Sequence, residues 1–178
     1  MHNTMLFFTQ FGKCYWLKVY EIPEGNKNSK GRAIQNMLNI APDDAVNAFV
    51  RVKTLADKNF IENHNLIFCT KNGIIKKTSL EQYSRPRANG IIAISIHDDD
   101  RVVSVALTDG NSDIILANRN GRAVRFCETT VRAMGRTASG VKGMTLDEND
   151  EIVGMVIIPK EDEKEHTLLV LSEQGYGK

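Results

Sequence analysis

A glycine turn that returns four times along 178 residues is the tightest constraint on how this chain can fold. At 6–17, 66–78, 114–126 and 168–178 an apolar, strand-like run leads into a glycine and out again into a basic strand. The turn glycines are Gly12, Gly73, Gly121 and Gly175, separated by 61, 48 and 54 residues, a spacing close to that of one four-stranded blade in a radial array. After each of the first three turns comes a second glycine in a basic stretch (Gly31, Gly90, Gly140), then an apolar strand, an acidic turn and a last apolar strand. The expected unit is therefore four strands. Three such units, at 5–56, 65–109 and 113–159, and the start of a fourth at 166–178 read as part of a ring rather than a complete one.

The local chemistry supports an all-β reading. Asn72-Gly73 and Asn120-Gly121 sit between β-branched runs, and both residue types tolerate the positive φ that a tight hairpin needs. Further strands are expected at 33–40 and 46–52, at 91–96 and 102–107, and at 141–146 and 152–158. Helical periodicity is weak: 81–83 and 128–132 can each form a single turn. The polar stretches 56–64 and 159–166 read as surface loops joining units.

Composition removes several classes of function. With 42% hydrophobic and 25% charged residues, burial without disulfides is sufficient for folding. The odd set Cys14, Cys69 and Cys127 has neither a Cys-x-x-Cys spacing nor a neighbouring histidine, so neither a disulfide framework nor a zinc site is expected. No apolar stretch is long enough to span a bilayer, which points to a cytoplasmic protein without a membrane partner. Asp98, Asp99 and Asp100 lack the glycine and spacing of a calcium loop and read as a solvated turn. No catalytic constellation is found.

The net charge of +1 hides a strong pattern. Residues 66–96 hold Lys71, Lys76, Lys77, Arg85 and Arg87 against Glu81, while 97–113 hold five aspartates against Arg101. Residues 114–144 hold Arg119, Arg122, Arg125, Arg132, Arg136 and Lys142 against Glu128, and 145–165 then hold eight acids against Lys160 and Lys164. The sign alternates in step with the repeat. In a radial array equivalent segments take equivalent places, so these cations form an arc along the first hairpin and the connection after it. An arc suits a curved phosphate backbone better than a point ligand. The expected contact residues are Lys13, Lys18, Lys30, Arg32, Lys76, Lys77, Arg85, Arg87, Arg119, Arg122, Arg125, Arg132, Arg136 and Lys142.

Three strings go further: T-Q-F-G-K-C-Y-W-L-K-V-Y-E-I-P-E from Thr9, R-F-C-E-T-T-V-R-A-M-G-R-T-A-S-G-V-K-G from Arg125, and the closing E-Q-G-Y-G-K. With them the whole chain resembles the C-terminal domain of the DNA gyrase A subunit. The resemblance implies a propeller-like β-pinwheel, usually of six four-stranded blades that exchange their outer strands. It further implies a non-catalytic role: wrapping duplex DNA on a basic rim, in support of ATP-dependent negative supercoiling by the whole enzyme. The implied partners are duplex DNA, the remainder of the gyrase A subunit, plus the gyrase B subunit. No cofactor is expected on this chain, and ATP and magnesium are expected on the partner subunit.

The family's basic box, Q-R-R-G-G-K-G, has no copy here, although 85–90 and 132–140 are degenerate relatives of it at the same point of the repeat. The family's catalytic tyrosine belongs to another domain, so Tyr15, Tyr20, Tyr83 and Tyr176 are read as packing residues. The rivals are the corresponding domain of topoisomerase IV and a protein-interaction propeller, with a propeller hydrolase or lyase last. Unpaired strand edges make self-association by strand exchange through 168–178 an expectation too.

Overall fold

A computed structural model describes residues 3–97, 99–160 and 167–178. Its strands are, in chain order, β1 (Thr4–Thr9), β2 (Lys13–Lys18), β3 (Val46–Val52), β4 (Asn65–Thr70), β5 (Ile74–Ser79), β6 (Ile91–Ile92), β7 (Val102–Thr108), β8 (Ser112–Asn118), β9 (Ala123–Cys127), β10 (Val141–Lys142) and β11 (Ile152–Pro159). They make three antiparallel sheets, ordered β3-β1-β2-β6, β10-β5-β4-β7 and β11-β8-β9.

One turn is built three times. Gly12, Gly73 and Gly121 take φ of +82°, +81° and +84°, open to glycine at little cost. A side-chain oxygen just before each turn (Thr9, Thr70, Asn118) accepts the amide just after it, at 3.1 Å from Lys13, 3.2 Å from Ile74 and 2.6 Å from Arg122. An aspartate from the acidic turn (Asp44, Asp100, Asp150) reaches across to accept a turn amide, at 3.4 Å from Phe11, 2.9 Å from Asn72 and 3.3 Å from Asn120. This corrects the reading of 98–100 as solvated: Asp100 is buried and pins the hairpin, Asp99 is exposed, and Asp98 lies outside the described residues.

The four strands of a unit do not stay together. Strand β6, from the second repeat, pairs with β2 of the first (Lys13 opposite Ile92), and β10, from the third, pairs with β5 of the second (Lys142 opposite Ile74). The strands expected at 91–96 and 141–146 thus shrink to two residues, because the ladder ends on a shared carbonyl. The amides of Ala93 and Ile94 both donate to the Gly12 carbonyl, at 2.7 and 3.2 Å, and those of Gly143 and Met144 both donate to that of Gly73, at 2.8 and 3.2 Å. The approach excludes a side chain: a Cβ at Gly73 would stand 2.7 Å from the Met144 carbonyl oxygen. The second glycine of the repeat is needed for the same reason, since a Cβ at Gly140 would stand 2.6 Å from the Ile75 carbonyl oxygen.

Two further expectations are corrected. Residues 33–40 hold no strand; a single 3-10 turn (Ile34–Asn36) forms, and Leu38 and Ile40 are buried by packing against Phe7 and Tyr15 rather than by strand pairing. The loop 56–64 contains α1 (Lys58–Asn63), which starts where Asp57 accepts the Phe60 amide at 3.2 Å and buries Ile61. The loop 159–166 lies largely outside the described residues. Residues 167–178 form a hairpin about Gly175, with Val170 and Lys178 exchanging backbone hydrogen bonds of 2.9 and 3.0 Å, but it joins no described sheet and leaves Leu169 and Leu171 exposed.

The cores lie between sheets rather than within one. Side chains alternate along a strand, so Leu66 and Phe68 of β4 face the first sheet while Ile67 and Cys69 face the third. Burial on both faces is why β4 reads as an unbroken apolar run. Phe8 meets Phe68 edge-on, with centroids 5.2 Å apart, across the first junction. Trp16 packs there as well, its indole N–H donating to the Tyr83 carbonyl at 2.9 Å, which agrees with an inter-blade rather than a base-stacking tryptophan.

Lys76 is the unexpected core residue: fully buried, it donates from Nζ to the carbonyls of Ala93 (2.7 Å) and Arg136, with the Phe68 ring centroid 5.6 Å away. Burial, and secondarily the Arg136 guanidinium, lower its pKa from 10.5 to about 7. No carboxylate pairs with it among the described residues.

This packing makes two outcomes measurable. Gly121→Ala meets no atom within 4 Å and carries only the strain of φ +84°, about 1–2 kcal/mol, whereas Gly140→Ala adds a backbone overlap at 2.6 Å. The melting midpoint should therefore fall at least about twice as far in the second variant, and equal shifts would contradict the tight junction. Between pH 7 and 10.5 the unfolded chain keeps a proton on Lys76 that the folded chain releases, so this residue makes stability rise with pH over that window. Urea unfolding of the wild type against Lys76→Met should give a difference that grows by about 1 kcal/mol per pH unit from 7 to 9, and a pH-independent difference would refute the assignment.

Candidate nucleic-acid interface

Strand order separates the two groups of cations. Strand β3 lies beside β7, and β7 beside β11, so these three strands line the centre of the array. The exchanged strands β6 and β10 sit at the opposite edge of their sheets, and the crossovers that lead into them therefore run along the outer rim. Each crossover begins with a 3-10 turn, at Leu80–Tyr83 and Glu128–Thr130, and continues through 84–90 or 131–140 to the docked glycine. The first repeat has the same turn at Val19–Glu21, followed by 22–33.

Segments 22–33, 84–90 and 131–140 together hold seven Lys and Arg residues against one acid, Glu24. Lys27, Lys30, Arg32, Arg85, Arg87 and Arg132 are exposed, and among the described residues none of the six is in an ion pair. Lys27 was absent from the expected set, although it lies in the same basic stretch as Lys30. Lys13 and Lys142 are exposed on the outer edge beside them, one in β2 and the other in β10. The local geometry follows from the sequence: Pro86 fixes φ between the two arginines of 84–90, where a missing amide donor breaks no ladder. Gly90 then brings the chain down onto Tyr15, where a Cβ would stand 2.7 Å from the ring.

The cations of the hairpins have other work. Arg122 pairs with Asp147 at 3.0 Å, Arg119 with Glu151 at 4.0 Å, Lys71 with Glu151 at 2.8 Å and Arg125 with Asp113 at 2.8 Å. Lys71 is also the first cause of the lowered pKa of Glu151, so that carboxylate stays charged. Lys77 lies 3.8 Å from the buried Glu128, whose other contacts are the Thr108 hydroxyl at 2.6 Å and the Ser112 amide at 3.3 Å. Lys18 is half-buried and donates to the Thr4 hydroxyl at 3.0 Å. Arg136 is half-buried with its guanidinium donating to the Ile92 carbonyl at 3.0 Å.

The expected arc is thereby narrowed. Lys76 leaves the outward set because it is buried, and Lys77 because it serves a buried carboxylate. Arg119, Arg122 and Arg125 face acids brought by the acidic turns and by β8, which offset their charge. What remains is a track on the crossovers, Lys30, Arg32, Arg85, Arg87 and Arg132, bordered by Lys13 and Lys142. Such a track has no convergent nucleophile, base or metal-binding cluster among the described residues; its chemistry is the attraction of anions spread along a curve. No helix among the described residues is long and apolar enough to cross a membrane.

Known proteins share the architecture. The DNA gyrase C-terminal domain, beta-propeller, family matches at residues 3–53, 64–109 and 112–159, once for each glycine-turn repeat. The DNA gyrase A subunit of Staphylococcus epidermidis is 43% identical over 99% of this chain, and that of Staphylococcus aureus 41%; the chain spans 19% of the length of either relative. Among solved structures, the C-terminal domain of DNA topoisomerase IV superposes with a TM-score of 0.83 at 32% identity, and a DNA gyrase A C-terminal domain with 0.78 at 26%, each over 99% of this chain and 53% of the other. With its repeats, its exchanged strands and its family match all in register, the chain belongs to the DNA gyrase C-terminal domain family, as a β-pinwheel of the gyrase A type.

Proposed function

We propose that this chain binds and bends duplex DNA along the crossover track, as the non-catalytic wrapping part of the DNA gyrase A subunit. The observation that carries the reading is the sorting of charge: among the described residues the crossover cations are in no ion pair, while Lys71, Arg119 and Arg122 at the second and third hairpin turns pair with acids. Bending a site of 20–30 base pairs through 40–90° costs roughly 1–6 kcal/mol, and phosphate contacts spread along an arc offset it where a single patch does not. Contacts of this kind position a duplex without reading its bases, so binding is nearly sequence-blind. In the whole enzyme the track supports ATP-dependent negative supercoiling. The strand-cutting tyrosine lies in the rest of the gyrase A polypeptide, ATP and magnesium sit on the gyrase B polypeptide, and the assembly works in the cytoplasm. The likeness to a topoisomerase IV domain supports a second reading, in which the same track serves as the C-terminal domain of a topoisomerase IV A subunit.

The test compares two charge-removal variants by anisotropy with a labelled duplex of about 40 base pairs across about 50–200 mM salt. Removing Lys30, Arg32, Arg85 and Arg87 together should weaken binding at every salt concentration. It should also lower the slope of log K against log salt by about 3–4, near 0.9 for each phosphate no longer neutralised. Removing Lys71, Arg119 and Arg122 should change the slope by less than about 1. Equal losses in the two variants, or no retardation of the duplex by the wild type at low salt, would sink the assignment.

A further inference from the structure

The third crossover is fastened to the second, and a buried lysine is the fastening point. Residues 136–138 lie along 92–95: the Arg136 guanidinium donates to the Ile92 carbonyl at 3.0 Å, the Ser95 hydroxyl to the Thr137 carbonyl at 2.6 Å, and the Ser95 amide to the Ala138 carbonyl at 3.3 Å. Beneath them the Lys76 side-chain nitrogen bridges the Ala93 carbonyl, just past β6 where the chain docks on Gly12, and the Arg136 carbonyl, at the middle of the third crossover. From the other side the Arg136 amide donates to the Gln82 side chain at 3.0 Å, on the 3-10 turn that opens the second crossover. Tyr15 and Val124 occupy the places of Lys76 in the first and third hairpins, three residues after the turn glycine. Lys178 takes that place in the fourth hairpin, so a lysine there is neither confined to this junction nor a requirement of the repeat.

We propose that Lys76 is a positioning residue for the DNA track, holding the third crossover against the second so that Arg85, Arg87 and Arg132 meet one continuous duplex. The inference rests on the DNA-wrapping reading above. Lys76 does not touch the ligand. It is sealed from solvent, and its N–H donors draw the Arg136 carbonyl of the third crossover and the Ala93 carbonyl just beyond the second to one atom. A hydrocarbon of the same length fills the space and leaves the Arg136 carbonyl without that donor, which loosens the register between the loops while the apolar packing persists. The contacts of residues 136–138 with Ile92 and Ser95, and of the Arg136 amide with Gln82, then hold the third crossover without the Lys76 bridge.

The experiment uses the 178-residue chain and two probes, a duplex of about 12 base pairs that engages one crossover and one of about 40 that spans several. Wild type should bind the longer duplex at least about tenfold more tightly than the shorter, and an end-to-end fluorescence pair should report its bending. Lys76→Met should keep the short-duplex affinity within about twofold and lose most of the gain with length and most of the bending. Lys76→Gln, which keeps a side-chain N–H donor at the site, should recover part of both, and it serves as the reference if the methionine variant does not fold. Retention of the full length gain and bending by a folded variant would overturn the proposal, as would an equal loss on both duplexes, which marks a general structural role. Failure of wild type to bind either duplex would instead remove the DNA-wrapping reading itself.

Discussion

Each blade junction depends on one backbone carbonyl, that of Gly12 or of Gly73, which accepts two successive amides from the following repeat. The close approach is possible only because the acceptor is a glycine in the left-handed region with no Cβ in the path of the incoming chain. It ends the exchanged strand after two residues and turns the chain inward to its own blade. Apolar cores then fill the spaces between blades, so that a strand such as β4 is buried on both faces.

The rim follows from that exchange. A strand that must leave its own sheet and pair with the neighbour needs a connector around the outside, and the connector is free of the ladder and open to solvent. Among the described residues, no cation placed on it is in an ion pair. Lys71, Arg119 and Arg122, at the second and third hairpin turns, meet Glu151 and Asp147 and become part of the scaffold. Among the described residues the aspartates of the acidic turns are held at the hairpins, and the crossover segments 22–33, 84–90 and 131–140 carry one acid, Glu24. Exposed ion pairs of this type add little stability, generally below about 1 kcal/mol each, so their main effect here is on where the positive field lies.

Much of this was readable in the residues. The glycine period, Asn72-Gly73 and Asn120-Gly121 gave the hairpins and their number, and the strings around Gly12 and Gly140 gave the family. The exchange itself was not readable from pattern, since an apolar run at 91–96 looks the same whether it pairs at home or next door; only the resemblance implied it. Segment 33–40 has a strand's composition but buries its apolar side chains by packing on Phe7 and Tyr15 without pairing, and α1 hides in a polar stretch because a cap and a single buried Ile61 suffice for one short helix. Lys76 misled for a deeper reason: sequence assigns a lysine to the surface by its charge. Its burial depends on two carbonyls that arrive from positions 93 and 136, and no local pattern carries that information.

The most direct measurement is a map of the DNA path by site-specific photo-crosslinking, with the reactive group introduced in turn at positions 32, 87, 132, 119 and 147. Crosslinks to a single duplex from positions 32, 87 and 132, at sites that advance in that order along the DNA, are what the crossover track predicts. Crosslinks concentrated at 119 and 147, or scattered without order, would contradict it.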